Sequence, residues 1–134
     1  MPNKITRAAA VLVLLTSALG GVSVVDATAA NAAGTCDRAK NYQHAYVPAS
    51  GSGVDCRLAV GNRGEGVLAL QRTLRKCYGS TIVADGIFGP ATRDALKYAQ
   101  RQAGTQDDGV YGPNTRRAIK HRPSSWPYGC QRVR

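Results

Sequence analysis

Hydrophobic and polar positions follow three rhythms along this chain. Residues 8–21, "AAAVLVLLTSALGG", are an apolar run behind Lys4 and Arg7. The run is shorter than the ~18–20 residues of a bilayer span. Small residues follow in "ATAANAAG", with the best cleavage points after Ala32 or Ala33, and the pattern predicts a secretory signal over 1–33. Residues 34–57 show no helical period. Pro48, the Gly/Ser cluster at 50–53 and flanking cysteines predict a disulfide-tied loop or short hairpin there. From residue 58 onward the pattern turns helical. Val67, Leu70, Leu74 and Cys77 fall at i, i+3, i+7 and i+10 on one helix face, which Gly79 ends. Glu65 favours the start of that helix, and Gly61, Gly64 and Gly66 read as a flexible lead-in.

Two later stretches repeat each other. "DGIFGPATRDALK" at 85–97 and "DGVYGPNTRRAIK" at 108–120 keep register at an offset of 23. Asp85-Gly86 and Asp108-Gly109 are turn signals, because the Asp side chain accepts backbone N–H groups and Gly supplies positive φ. Phe88 and Tyr111 follow at positions suited to plugging the core. Gly89-Pro90 and Gly112-Pro113 then break the chain and start a helix with φ already set. Thr92 and Thr115 sit in the first turns, where a hydroxyl can satisfy backbone groups. Helices are predicted over about 90–103, ended by Gly104, and about 113–120, ended before Pro123.

Composition narrows the picture. Net charge is +10, and discounting Lys4, Arg7 and Asp26 leaves +9 (two positives and one negative fewer). After residue 33 no apolar run could cross a membrane. Four cysteines, Cys36, Cys56, Cys77 and Cys130, are an even count suited to an oxidising compartment. Of three possible pairings, Cys36–Cys56 closes a local loop and Cys77–Cys130 ties down the tail at 123–134. Arg93, Lys97 and Arg101 form a basic stripe at i, i+4 and i+8. Arg72, Arg75 and Lys76 on the first helix, and Arg116, Lys120, His121 and Arg122 on the third, extend the theme. Such charge suits an anionic partner, at a strength that salt reduces.

Catalytic constellations are hard to assemble. The two histidines, His44 and His121, stand far apart with no Cys-x-x-Cys or H-x-x-E-H grouping, so no metal site or metal cofactor is expected. Four cysteines that pair leave no thiolate nucleophile. Glu65 is the lone glutamate, and Asp85 and Asp108 read as turn-formers rather than acids.

The run from Gly61 to Lys120 resembles the peptidoglycan-binding domain family. Gly61, Gly64, Val67, Leu70, Gln71 and Leu74 match its first part, and Asp85, Gly86, Phe88, Gly89, Thr92 and Ala95 its second. Gln100 and Gly104 fit the end of the second helix, while Asp108, Gly109, Tyr111, Gly112 and Thr115 match the third part. Where the family commonly carries an aromatic before the second-helix Gln, this chain has Ala99, with Tyr98 beside it. The resemblance implies an all-α, compact three-helix fold over 58–122 and non-catalytic attachment to bacterial cell wall. The cysteines resemble those of stand-alone members secreted by high-GC Gram-positive bacteria. Expected partners are peptidoglycan or anionic wall polymers, and a separate wall-acting enzyme, since no hydrolase or transpeptidase domain fits the remaining residues. Candidate ligand contacts are Thr92, Arg93, Tyr98, Tyr111, Thr115, Arg116 and Trp126, with first-turn N–H groups beside the arginines favouring a carboxylate. The competing reading is a secreted protein-interaction or inhibitor module displaying the Cys36–Cys56 loop. Nucleic acid ranks last, because the chain has an export signal and no nucleic-acid motif.

Overall fold

The computed structural model describes residues 33–134, so the signal expected over 1–33 lies, Ala33 apart, outside the described residues. Three helices are present: α1 (Glu65–Tyr78), α2 (Pro90–Ala103) and α3 (Pro113–Ala118). α1 buries Val67, Leu70 and Leu74 on one face, and Gly79 ends it in the left-handed conformation at φ 68°. α2 starts on Pro90 and ends on Gly104 at φ 72°, which supplies the geometry a helix stop requires. α3 is two residues shorter than its sequence pattern suggests. Ile119 turns extended (φ −84°, ψ 159°), and His121 pairs instead with Gln131 in both directions, at 2.7 and 3.1 Å.

The expected all-α class is incorrect. Residues 38–49 form an antiparallel hairpin of β1 (Arg38–Tyr42) and β2 (Ala45–Ala49), with Arg38 opposite Ala49 and Tyr42 opposite Ala45. The turn residues Gln43 and His44 both take positive φ, 51° and 63°, the geometry whose twist matches paired strands. Pro48 is tolerated because a two-stranded sheet consists only of edges. β2 buries Ala45, Val47 and Ala49 completely, while β1 stays largely exposed. The chain's last residues return to this hairpin. Val133 joins Ala45 and Val47 in a small second core, and the Tyr42 hydroxyl donates to the Arg134 carbonyl at 2.6 Å.

Gly66 has a use other than a flexible lead-in. It lies inside α1, and a Cβ there would come within 2.1 Å of the Cys36 carbonyl oxygen, a backbone atom with no freedom to swing away. Only glycine lets the start of α1 approach the N-terminal segment this closely. That segment is tied by the Cys36–Cys56 disulfide, and Cys77–Cys130 joins α1 to the tail. Loops of 20 and 53 residues are worth about 3–4 kcal/mol each on the chain-entropy account.

The repeated phrase folds into two copies of one hydrogen-bonded device. The Gln71 amide nitrogen, buried on α1, donates to Asp85 Oδ1 (3.1 Å), the Ile87 carbonyl (2.9 Å) and Thr92 Oγ1 (3.0 Å). Its oxygen accepts the Gly86 N–H at 2.8 Å. Gln100 on α2 repeats the set with Asp108 (3.0 Å), Val110 (2.9 Å) and Thr115 (3.0 Å), and accepts the Gly109 N–H at 2.9 Å. Each Asp also accepts the N–H two residues on, from Ile87 (2.9 Å) or Val110 (3.0 Å). Gly86 and Gly109 take φ 76° and 72°, whereas Gly89 and Gly112 are extended and serve as the residues before each proline. The closed turns drive Phe88 and Tyr111 into the core beside Leu58, Leu70, Leu74 and Leu96. The segment 58–64 lies along both. Leu58 exchanges two 2.9 Å backbone bonds with Tyr111, and Gly61 and Asn62 hold Phe88 the same way.

Two predictions follow from this packing. In an exposed helix Gly→Ala stabilises by about 1 kcal/mol. Gly66→Ala is instead expected to destabilise by about 1–3 kcal/mol, the range for forced overpacking, read as a lower urea midpoint at unchanged slope.

The second concerns acid. His121 is fully buried, with Nε2 at 3.0 Å from the Arg116 carbonyl, so Nε2 carries the proton of a neutral ring. Burial pulls its pKa down to about 4, while the unfolded chain keeps the ordinary value near ~6.5. The unfolded state therefore binds the extra proton first. Stability is intact above pH ~6.5 and falls by about 1.4 kcal/mol per unit towards pH ~4. Thermal melts across that window are expected to show the slope in wild type and lose it in His121→Gln.

Candidate functional site: the groove beside the Cys77–Cys130 disulfide

A recess of about 340 Å³ opens where the end of α1, the outer face of α2 and the tail meet, lined by Tyr78, Tyr98, Gln102, Lys120 and Arg132 beside Cys77. Tyr98 and Gln102 are four apart on α2 and so share a face. The Cys77–Cys130 bond brings the neighbours of both cysteines, Tyr78 and Arg132, to the same place. Tyr78 is held at its hydroxyl, which accepts the Lys120 N–H at 2.7 Å, and its partial burial raises the phenol pKa, keeping it neutral. Arg132 Nε donates to the Ala118 carbonyl at 2.8 Å. Tyr98 is 46% exposed and offers a ring to the groove. Among the described residues no carboxylate lines it. An aromatic ring, a side-chain amide and two cations suit a ligand with an apolar face, amides and a carboxylate. Among the described residues no three His, Cys, Asp or Glu gather in a way that could hold a metal ion.

The seven residues singled out as ligand contacts are not brought together. Tyr98 lines the groove. Arg93 is exposed and paired with its neighbour Asp94 at 3.1 Å. Trp126 is 92% exposed in the tail, near Tyr128, whose ring stacks on His44 at 4.2 Å. The other four are buried. Thr92 and Thr115 are 3% and 6% exposed and spend their hydroxyls on Gln71 and Gln100. Tyr111 is fully enclosed, and burial raises its phenol pKa so that it stays protonated. Arg116 is 3% exposed, its Nη2 at 2.8 Å and Nε at 3.2 Å from Asp55 Oδ1. The N–H groups of Arg93 and Arg116 themselves are committed, donating to the Gly89 and Gly112 carbonyls at 3.0 and 2.8 Å.

Several structural positions carry only faint sequence signals. For the bracing role of Gln71 and Gln100 the sequence signal is a polar residue inside an apolar stripe ahead of each Asp-Gly. Tyr78 and Arg132 could have been placed together by their spacing from Cys77 and Cys130. Nothing in the sequence marks Asp55, 61 residues before Arg116, as its partner.

Solved structures offer points of comparison. The chain is similar to the Burkholderia AP3 phage endolysin, at 42% identity over 44% of this chain and 22% of that one, with a TM-score of 0.42. It is similar to a fused Zn-dependent amidase/peptidase/peptidoglycan-binding domain-containing protein from Clostridium acetobutylicum, at 33% identity over 46% and 27% of the two chains, TM-score 0.44. It is also similar to the SleB N-terminal domain, at 35% identity over 46% of this chain and 84% of that one, TM-score 0.42. The chain thus spans about a quarter of the length of the first two. No curated protein matches it. Residues 63–119, the stretch that holds all three helices and both glutamine-braced turns, match the peptidoglycan binding domain family.

Proposed function

We propose that this is a secreted, non-catalytic peptidoglycan-binding protein that meets its ligand in the groove of Tyr78, Tyr98, Gln102, Lys120 and Arg132. The observation that carries the reading is the family match over 63–119, which takes in the braced turns whole. The groove's chemistry is consistent with it. Peptidoglycan combines sugar rings, which lie flat on aromatic faces, with peptide amides and carboxylates, which amide and cationic side chains pair. Export is supported by the apolar N-terminal run and by two disulfides, which persist in oxidising surroundings. The non-catalytic part of the reading rests on the match to a binding-domain family.

The protein is expected to sediment with insoluble sacculi and to leave them chemically intact. Tyr98→Ala should weaken binding about two- to tenfold, the scale of one lost aromatic contact, without lowering the melting temperature. Retention in the supernatant sinks the reading. Release of reducing ends or free amines from the sacculi sinks its non-catalytic part.

A further inference from the structure

A second cationic feature stands apart from the groove. Arg72, Arg75 and Lys76 occupy i, i+3 and i+4 on the exposed face of α1, and Arg122 reaches over them from the chain beyond α3. With Ala84 they line a cleft of about 450 Å³. Arg72 and Arg122 also border an adjoining recess of about 290 Å³, with Ala39, Tyr46, Glu65 and Ala69. Arg122 is set in place from two sides. Its backbone N–H donates to Thr73 Oγ1 at 3.2 Å, and its guanidinium lies 4.5 Å from the centre of the Tyr46 ring. Its Nε is enclosed, with no hydrogen-bond partner among the described residues.

The charges here differ from those elsewhere on the surface. Every ion pair among the described residues uses another arginine: Arg38 with Asp37, Arg93 with Asp94, Arg101 with Asp107, and Arg116 and Arg117 with Asp55. Among the described residues, Arg72, Arg75, Lys76 and Arg122 have no acidic partner within ion-pair distance, and no acid lines their cleft. Like charges three and four apart on a helix repel one another. A bound anion would remove that repulsion.

We propose that this cleft binds a phosphodiester-linked polyol chain, a polyanion of the kind that accompanies peptidoglycan in cell walls. A linear run of cations along one helix face suits a ligand with charge repeated along its length better than a lone carboxylate. Guanidinium groups pair phosphate oxygens two at a time. Nucleic acid fits less well, because single strands need aromatic platforms for their bases. Tyr46 is the aromatic of these two recesses, and Arg122 covers its ring. The cleft shares no lining residue with the Tyr98 groove, so each can fail without the other.

The test is fluorescence anisotropy with a labelled glycerol phosphate oligomer, alongside single-stranded oligo(dT) carrying the same number of phosphates. Arg72→Gln/Arg75→Gln/Lys76→Gln should weaken oligomer binding about tenfold or more and flatten its salt dependence. A charge-matched control, Lys40→Gln/Arg57→Gln/Arg63→Gln, should change it less than about threefold. Arg75→Glu alone, on the exposed face of α1, provides a milder variant and should also weaken binding. Pelleting with sacculi stripped of anionic polymers should be unaffected by the α1 substitutions. Equal losses in both triple variants would reduce the effect to diffuse net charge and overturn the proposal. So would absence of oligomer binding, or tighter binding of oligo(dT) than of the oligomer.

Discussion

Each Asp-Gly turn of this protein is closed by a glutamine sent from the preceding helix, and the amide satisfies an N–H, a carbonyl, a carboxylate and a hydroxyl at once. A turn whose inner side is buried faces a general difficulty: the backbone groups on that side leave water without the partners that a helix or sheet supplies. Each orphaned group would cost about 1–3 kcal/mol. The glutamine removes that cost in two places, and in doing so couples α1 to the first turn and α2 to the second. Phe88 and Tyr111 can then fill the core, because the backbone carrying them is held by bonds with defined directions.

The outer surface follows from this inner frame. With α1 and α2 fixed through the first turn, Tyr78 and Tyr98 come to one groove, and the Cys77–Cys130 disulfide delivers Arg132 to its rim. With α3 fixed through the second, Arg122 leaves its end at the height of Thr73 and crosses the basic face of α1. Peptidoglycan binding and polyanion binding, as proposed, would thus occupy separate faces of one frame. The protein's strong positive charge is not evenly spread. On α2 and α3 several arginines are paired with aspartates, and on α1 they are not.

Much of the frame was legible in the residue pattern. The stripe of Val67, Leu70 and Leu74, the prolines that start α2 and α3, and the glycines at 79 and 104 mark the helices to within two residues, because each signal is local. The hairpin was legible only as one of two options for residues 34–57, a tied loop or a short hairpin, since Gln43-His44 is not a usual turn pair. Its support comes from distant residues: Val133 packs beneath it and Tyr46 donates to the Arg122 carbonyl at 2.9 Å. The fate of Arg116 was also out of reach. A basic residue one turn into a helix looks solvated until Asp55 is known to lie beside it. Of the surface contacts inferred from position, Tyr98 alone lines the groove, because neighbouring helix positions point to different sides and sequence offers little on which side meets which neighbour.

The bracing claim is tested most directly by amide hydrogen exchange at Gly86 and Gly109, whose N–H groups donate to Gln71 and Gln100. Both amides should exchange as slowly as the best-protected amides of α1, opening only with the whole fold. In Gln100→Leu, protection at Gly109 should fall well below that level while Gly86 still tracks global unfolding. Exchange of Gly86 and Gly109 at loop-like rates in the unsubstituted protein would contradict it.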